Sequence, residues 1–232
     1  MKVVSTAIQS FIRVRIVADE LFFRVSIAVI FVGAGSISGH FRKIARQFEP
    51  ISRQSEATST KVGRLLIALL LYLSILAFIV NPSWMEWSSF DVPMWVRHLA
   101  VGAGLLALPL VYWVMISIGN NISETVLTKE NHELVTHGPY HWVRHPLYTV
   151  SILMLISVSL IAANWFMMMM TAIASIGIAS LILPKEEAEL VSKFGAEYRV
   201  YQDRTGGLLP RIFIHRHNVD ERGESTCRYI RK

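Results

Sequence analysis

The chain has 232 residues, of which 53% are hydrophobic and only 17% charged. A soluble domain usually carries about 25% charged residues, so this balance excludes an ordinary soluble protein and points to one that crosses a membrane. The net charge of +6 is no sign of a nucleic-acid partner, because the basic residues collect in loops and tail as in cytoplasmic-side loops, and the single cysteine, Cys227, excludes an internal disulfide or a cysteine-based metal site.

Apolar runs of about 20 residues recur along the chain, the length needed to cross the hydrocarbon core. They are continuous rather than alternating, which selects helices over a closed barrel. Residues 1–20 alternate apolar and basic groups and read as an interfacial helix or a disordered lead. The first span is Leu21–Ser38, with Arg24 near its start, where a long stem snorkels to the interface. A polar, basic loop over Gly39–Arg64 follows, with a linker-like middle at Ser52–Thr60. The second span, Leu65–Val80, ends at Asn81-Pro82. The next loop carries Trp84, Trp87 and Trp95, which suit the headgroup layer. The third span is His98–Ile118, with Pro109 as a kink point and Gly102 and Gly104 as points of close helix approach. The fourth and fifth, Leu147–Ala163 and Trp165–Leu183, are joined by Asn164 alone and form a tight helical hairpin. Lys185–Gln202 reads as an amphipathic helix with Gly195 as its weak point. Arg211–Lys232 reads as a loose basic tail.

The fold class is therefore all-α and integral to the membrane, with about five transmembrane helices. Loop 39–64 holds six basic residues and loop 83–96 none. Positive-inside counting then places the first loop, the stretch His132–Tyr148 and the C-terminal tail on the cytoplasmic side.

The densest polar chemistry lies in His132–Tyr148, HELVTHGPYHWVRHPLY, which holds four of the eight histidines. His137, His141 and His145 recur at a spacing of four, which on one helix would make a metal-binding face. Gly138-Pro139 and Pro146 argue against a single helix there, and no metal is expected. Pro146 suits the first turn of a helix. Arg144 and His145, just before it, then make a corner that attracts anions. Tyr140 and Tyr148 add rings and hydroxyls. On the far side of the hairpin, Glu186, Glu187 and Glu189 are read either as a solvated helix face or as carboxylates that hold a cation beside the His/Arg/Tyr cluster.

These residues resemble the isoprenylcysteine carboxyl methyltransferase family and its prokaryotic relatives. The resemblance runs from about Ile118 to Pro210. It is carried by Gly119–Asn121, by HxLV at His132–Val135, by RHPxY at Arg144–Tyr148, by the paired glutamates and by FGxEYxxY at Phe194–Tyr201. It implies an S-adenosylmethionine-binding core over residues 118–210. Before it lie a lead at 1–20 and three membrane helices over 21–117; the basic tail, 211–232, follows. It further implies that His132, Glu133, Leu134, Val135, Tyr140, His145, Pro146, Leu147 and Tyr148 line the cofactor. Glu186 and Arg144 are then the expected catalytic residues. The acceptor is a lipophilic small molecule or lipid-modified substrate within membrane lipids, with no nucleic acid involved. The family places an arginine one helical turn before its glutamate to hold a substrate carboxylate, and here that position is Ile182. Ile182 and Glu186 are thus the expected acceptor-binding residues. Ile182 counts against an isoprenylcysteine-like carboxylate and suits a neutral lipid, amine or thiol. Two alternatives are an NADPH-dependent sterol or enone reductase-like enzyme, which binding of NADPH would favour, and a non-catalytic membrane binding protein.

Overall fold

A computed structural model describes residues 2–46, 58–119, 134–211, 214–219 and 225–230, with side chains over 18–44, 62–119 and 134–211. The helices are α1 (Lys2–Arg46), α2 (Thr58–Val80), α3 (Met94–Ile118), α4 (Pro146–Ile161), α5 (Trp165–Gly177), α6 (Leu183–Phe194) and α7 (Ala196–Arg204). A π-turn over Ile178–Ile182 joins α5 to α6. Among the described residues, four stretches are long and apolar enough to cross a membrane: Ala18–Ile44, Val62–Val80, Met94–Ile118 and Trp165–Phe194. Helix α4, with 16 residues, rises about 24 Å at 1.5 Å per residue, less than the roughly 30 Å of hydrocarbon. The protein is helical and integral to the membrane.

Several boundaries differ from the sequence reading. The lead is continuous with the first span, since α1 runs unbroken from Lys2 to Arg46. The loop drawn over Gly39–Arg64 is largely helical, because α1 runs on to Arg46 and α2 begins at Thr58. Only 47–57 of the linker region lies outside the described residues. Polar residues extend helices as readily as apolar ones, so an apolar window underestimates a helix. The hairpin connection is Ala162–Asn164 rather than Asn164 alone. The tail contains an antiparallel pair, β1 (Ile214–Val219) and β2 (Ser225–Ile230), with Ile214 opposite Ile230. Its β-branched and aromatic residues favour strands.

Two compact units divide the chain, one of Met1–Ser36, Ser55–Pro109 and Ile152–Ile176, the other of Ile37–Gln54, Leu110–Ser151 and Gly177–Lys232. In the first, Phe23, Ile27, Ile30, Ile75, Val101, Val158 and Ile161 form the core. Gly104 lets helices meet there: a Cβ on it would lie 2.6 Å from Ile30 Cδ1 and 3.4 Å from Ser157 Cβ. Gly102 faces open space, so only one glycine of the pair makes a close approach. Arg24 donates to the carbonyls of Ile79 at 2.8 Å and Val80 at 2.7 Å. Those carbonyls end α2 and lack intrahelical partners, and a cation there also complements the helix dipole. Arg97 does the same for Ile161 at 2.8 Å, with its guanidinium 3.8 Å from the centre of the Phe23 ring. Asn164, 1% exposed, secures the turn into α5. Its Oδ1 accepts from Met167 N at 3.0 Å, and its Nδ2 donates to Ser88 Oγ at 2.7 Å. Trp84, Trp87 and Trp95 are exposed.

The second unit holds the polar stretch and α6–α7. The π-turn has a local cause. Pro184 lacks an N–H and its ring crowds the carbonyl four residues earlier, and widening the preceding turn makes room. The amphipathic helix expected over Lys185–Gln202 is two helices. They break at Gly195, whose φ of 57° is one that other residues rarely adopt. The break lets α7 fold back along α6.

Candidate active site

Pro139 opens a 3-10 turn over Gly138–His141, which buries Tyr140 and leaves His141 exposed. The histidines therefore do not share a helix face, since His137 is also exposed whereas His145 is buried. Among the described residues no three His, Cys, Asp or Glu side chains group as metal ligands. Pro146 is the first residue of α4, where its missing N–H has no partner to lose. Arg144 and His145 thus end up at the mouth of that helix, with Tyr148 in its first turn.

A strap from the end of α7 holds this corner. Val143 pairs with Gly206 in an isolated parallel bridge. Arg144 N donates to the Gly206 carbonyl at 2.8 Å and His145 N to that of Gly207 at 3.1 Å. Thr149 Oγ1 donates to the Leu208 carbonyl at 2.7 Å. Any Cβ at Gly206 would collide with the Leu209 carbonyl oxygen, so the strap needs glycine there. Below it, the Tyr201 hydroxyl donates to the Tyr140 carbonyl at 2.6 Å.

The acidic run of α6 meets this corner. Arg144 Nε and Nη2 donate to Glu187 Oε1 at 2.9 and 2.6 Å. Its Nη1 donates to the carbonyls of Gln202, at 3.1 Å, and Thr205. The guanidinium is thereby engaged by Glu187 and backbone oxygens, and the anion-attracting corner directs its charge at a carboxylate of its own chain. His145 lies between the two glutamates, with Nε2 3.2 Å from Glu187 Oε1 and Nδ1 3.5 Å from Glu186 Oε2. The Tyr148 hydroxyl donates to Glu186 Oε1 at 2.6 Å. Gln202 Nε2 donates to Glu187 Oε2 at 3.1 Å.

Burial opposes the charged form of His145, but its contacts with Glu186 and Glu187 outweigh that and raise its pKa above the ordinary value. Burial also raises the phenols. Tyr201 is pushed up to about 12, against the opposing field of Arg144. Tyr140 is raised further by burial, then by Tyr201 and Glu186. Tyr198 is raised by burial and by the field of Glu187, with Arg144 nearby opposing them. All three stay protonated at neutral pH. The Tyr198 hydroxyl is buried with no hydrogen-bond partner among the described residues.

The structure thus brings together Arg144, His145, Tyr148, Glu186 and Glu187. Leu134, Val135 and Leu147 are half-buried, Pro146 is buried, and Ile182 is half-buried at the end of the π-turn. His132 and Glu133 lie outside the described residues. Sequence reasoning missed Gln202, Thr205 and the Gly206–Leu208 strap. The Gly206-Gly207 doublet was the one available signal, since backbone acceptors leave no other trace.

Membrane helices carrying a site of paired carboxylates beside a buried histidine define the class: a polytopic membrane protein with a polar site at the ends of two of its apolar helices. Residues 100–192 match the family model of the isoprenylcysteine carboxyl methyltransferase (ICMT) family. The cobalt-zinc-cadmium resistance protein CzcN of Cupriavidus metallidurans is 28% identical over 136 residues, 57% of this chain and 56% of that protein. A protein-S-isoprenylcysteine O-methyltransferase of Schizosaccharomyces pombe is 31% identical over 100 residues, 42% of each chain. The matches thus span about half the length of these curated relatives. A solved structure of the eukaryotic intramembrane Ras methyltransferase ICMT aligns with a TM-score of 0.50 at 22% identity, covering 83% of this chain and 71% of that one. That likeness is one of fold.

Proposed function

We propose that this protein is an integral-membrane methyltransferase that takes a methyl group from S-adenosylmethionine and passes it to a lipophilic acceptor, with Ile182 favouring a neutral group, amine or thiol over a prenylcysteine carboxylate. The observation that carries this is Glu186 held by Tyr148 beside His145, inside the segment that matches the family. The donor set fits the cofactor. A carboxylate near the protein's edge suits a cationic sulfonium, and half-buried apolar residues with phenols suit its adenosine. S-adenosylmethionine supplies an electrophilic methyl group when bound. The residues that would hold it are Leu134, Val135, Tyr140, His145, Pro146, Leu147 and Tyr148, with His132 and Glu133.

The chain's own contributions are positional and electrostatic. Tyr148 donates to Glu186 and fixes the direction of its carboxylate. Glu186 places negative charge where a cationic group is to be held. His145 spans both glutamates and keeps them together despite their like charge. Arg144 acts through Glu187 and the strap, as a positioning residue. Ile182 gives the acceptor side an apolar wall one turn before Glu186. The positive-inside balance supports a site on the cytoplasmic side, open to a lipophilic acceptor from the bilayer.

The test is transfer of labelled methyl from S-adenosylmethionine to small prenylated acceptors, a thiol, an amine and an S-prenylcysteine, by protein in detergent. Glu186→Gln is expected to lower turnover on the order of 10²-fold while cofactor binding changes little, and His145→Ala is expected to weaken binding. Unchanged turnover in both variants would refute the assignment.

A further inference from the structure

Glu186 and Glu187 are neighbours on one helix, so their side chains leave it about 100° apart. Both still reach His145, but their remaining contacts differ. The contacts divide the two unequally. Glu187 Oε1 receives Arg144 Nε and Nη2 and lies against His145, and its Oε2 receives Gln202. Glu186 is held by the Tyr148 hydroxyl, with His145 Nδ1 at a longer 3.5 Å. Gln202 reaches Glu187 because the chain reverses at Gly195. Its own carbonyl also accepts from Arg144, so residue 202 grips both members of the Arg144–Glu187 pair. Gln202 and the strap lie beyond residues 100–192, the segment that matches the family model.

We propose that Gln202 is a positioning residue: with the Thr205–Gly207 strap it pins Glu187 onto Arg144 and so leaves Glu186 as the carboxylate that faces a bound ligand. The second half of this statement rests on the methyltransferase reading. The pinning of Glu187 does not.

His145 reports on the pinning. It is faced by Glu186 and Glu187 from α6 and by Tyr148 from the first turn of α4, with Arg144 adjacent. The experiment titrates His145 by NMR in full-length, histidine-labelled protein in detergent, with the signal assigned through His145→Gln. Gln202→Leu releases Glu187, so His145 is expected to titrate on the order of one pH unit lower. Gln202→Asn, which keeps the amide but shortens its reach, shifts it in the same direction and covers the case in which Gln202→Leu fails to fold. Gln202→Glu adds negative charge beside the cluster and shifts it upward. A residue that only closed the fold would lower the titration in both the Leu and the Glu variants. In a Glu187→Gln background, Gln202→Leu is expected to have no further effect, as befits a residue acting through Glu187. A His145 titration unchanged by Gln202→Leu, or lowered by Gln202→Glu, would overturn the proposal. Calorimetry with S-adenosylhomocysteine on the same samples separates the two readings. Wild-type protein that fails to bind it refutes the methyltransferase assignment, while the His145 shifts still decide the role of Gln202.

Discussion

Tyr198 sits 1% exposed at the foot of the ion-paired cluster, yet its hydroxyl has no hydrogen-bond partner among the described residues. Buried hydroxyls usually find partners, and leaving one unmet costs stability. Tyr198→Phe is therefore expected to leave the protein as stable as before or more stable by about 1 kcal/mol. Thermal unfolding in detergent checks this; a clear loss of stability would show that the hydroxyl is engaged. His145 gives a prediction of opposite character. Its pKa in the fold lies above the ordinary 6.5, so the charged imidazole stabilises the folded protein. That contribution is complete below the ordinary pKa and is lost as pH rises through the elevated one. Thermal stability measured across this window is expected to fall with rising pH, and His145→Asn is expected to flatten the slope. The same slope in both proteins would place the titration elsewhere.

At the scale of elements, packing in the first unit turns on Gly104, where a Cβ would already press on Ile30 and Ser157. Gly104→Val is expected to cost about 1–3 kcal/mol by overpacking, whereas Gly102→Val, facing open space, is expected to cost far less. Unfolding midpoints of the two variants make the comparison, and equal losses would remove Gly104 from the contact. The pair also shows what a sequence can convey. Two glycines two residues apart look alike until a neighbouring helix is placed against one of them. The apolar spans, Asn164 at the hairpin and the break at Gly195 were legible, because hydrophobic length and backbone freedom are local properties. Helix ends were less so, since Lys2 and Thr58 begin helices whose first turns carry no apolar signal. The acidic run and the His/Arg/Tyr stretch were legible as partners because the hairpin returns the chain to one side. The split between Glu186 and Glu187 was not, because the side-chain rotations that separate them depend on Gln202 and Arg144, far apart in the chain.

For the whole molecule, the long apolar helices place the protein in a membrane, and the family-matched segment supplies the arginine, histidine, tyrosine and paired carboxylates. The segment after that match supplies Gln202 and the glycine strap that hold them in place. The site therefore depends on residues from both parts of the chain. The central claim is that these groups receive S-adenosylmethionine, and its most direct test is calorimetric binding of S-adenosylmethionine and S-adenosylhomocysteine to detergent-purified protein, with NADPH as control. The account predicts micromolar binding of the first two, weakened in His145→Ala, and none of NADPH. Binding of NADPH alone, or no binding of the two sulfur cofactors, would contradict it.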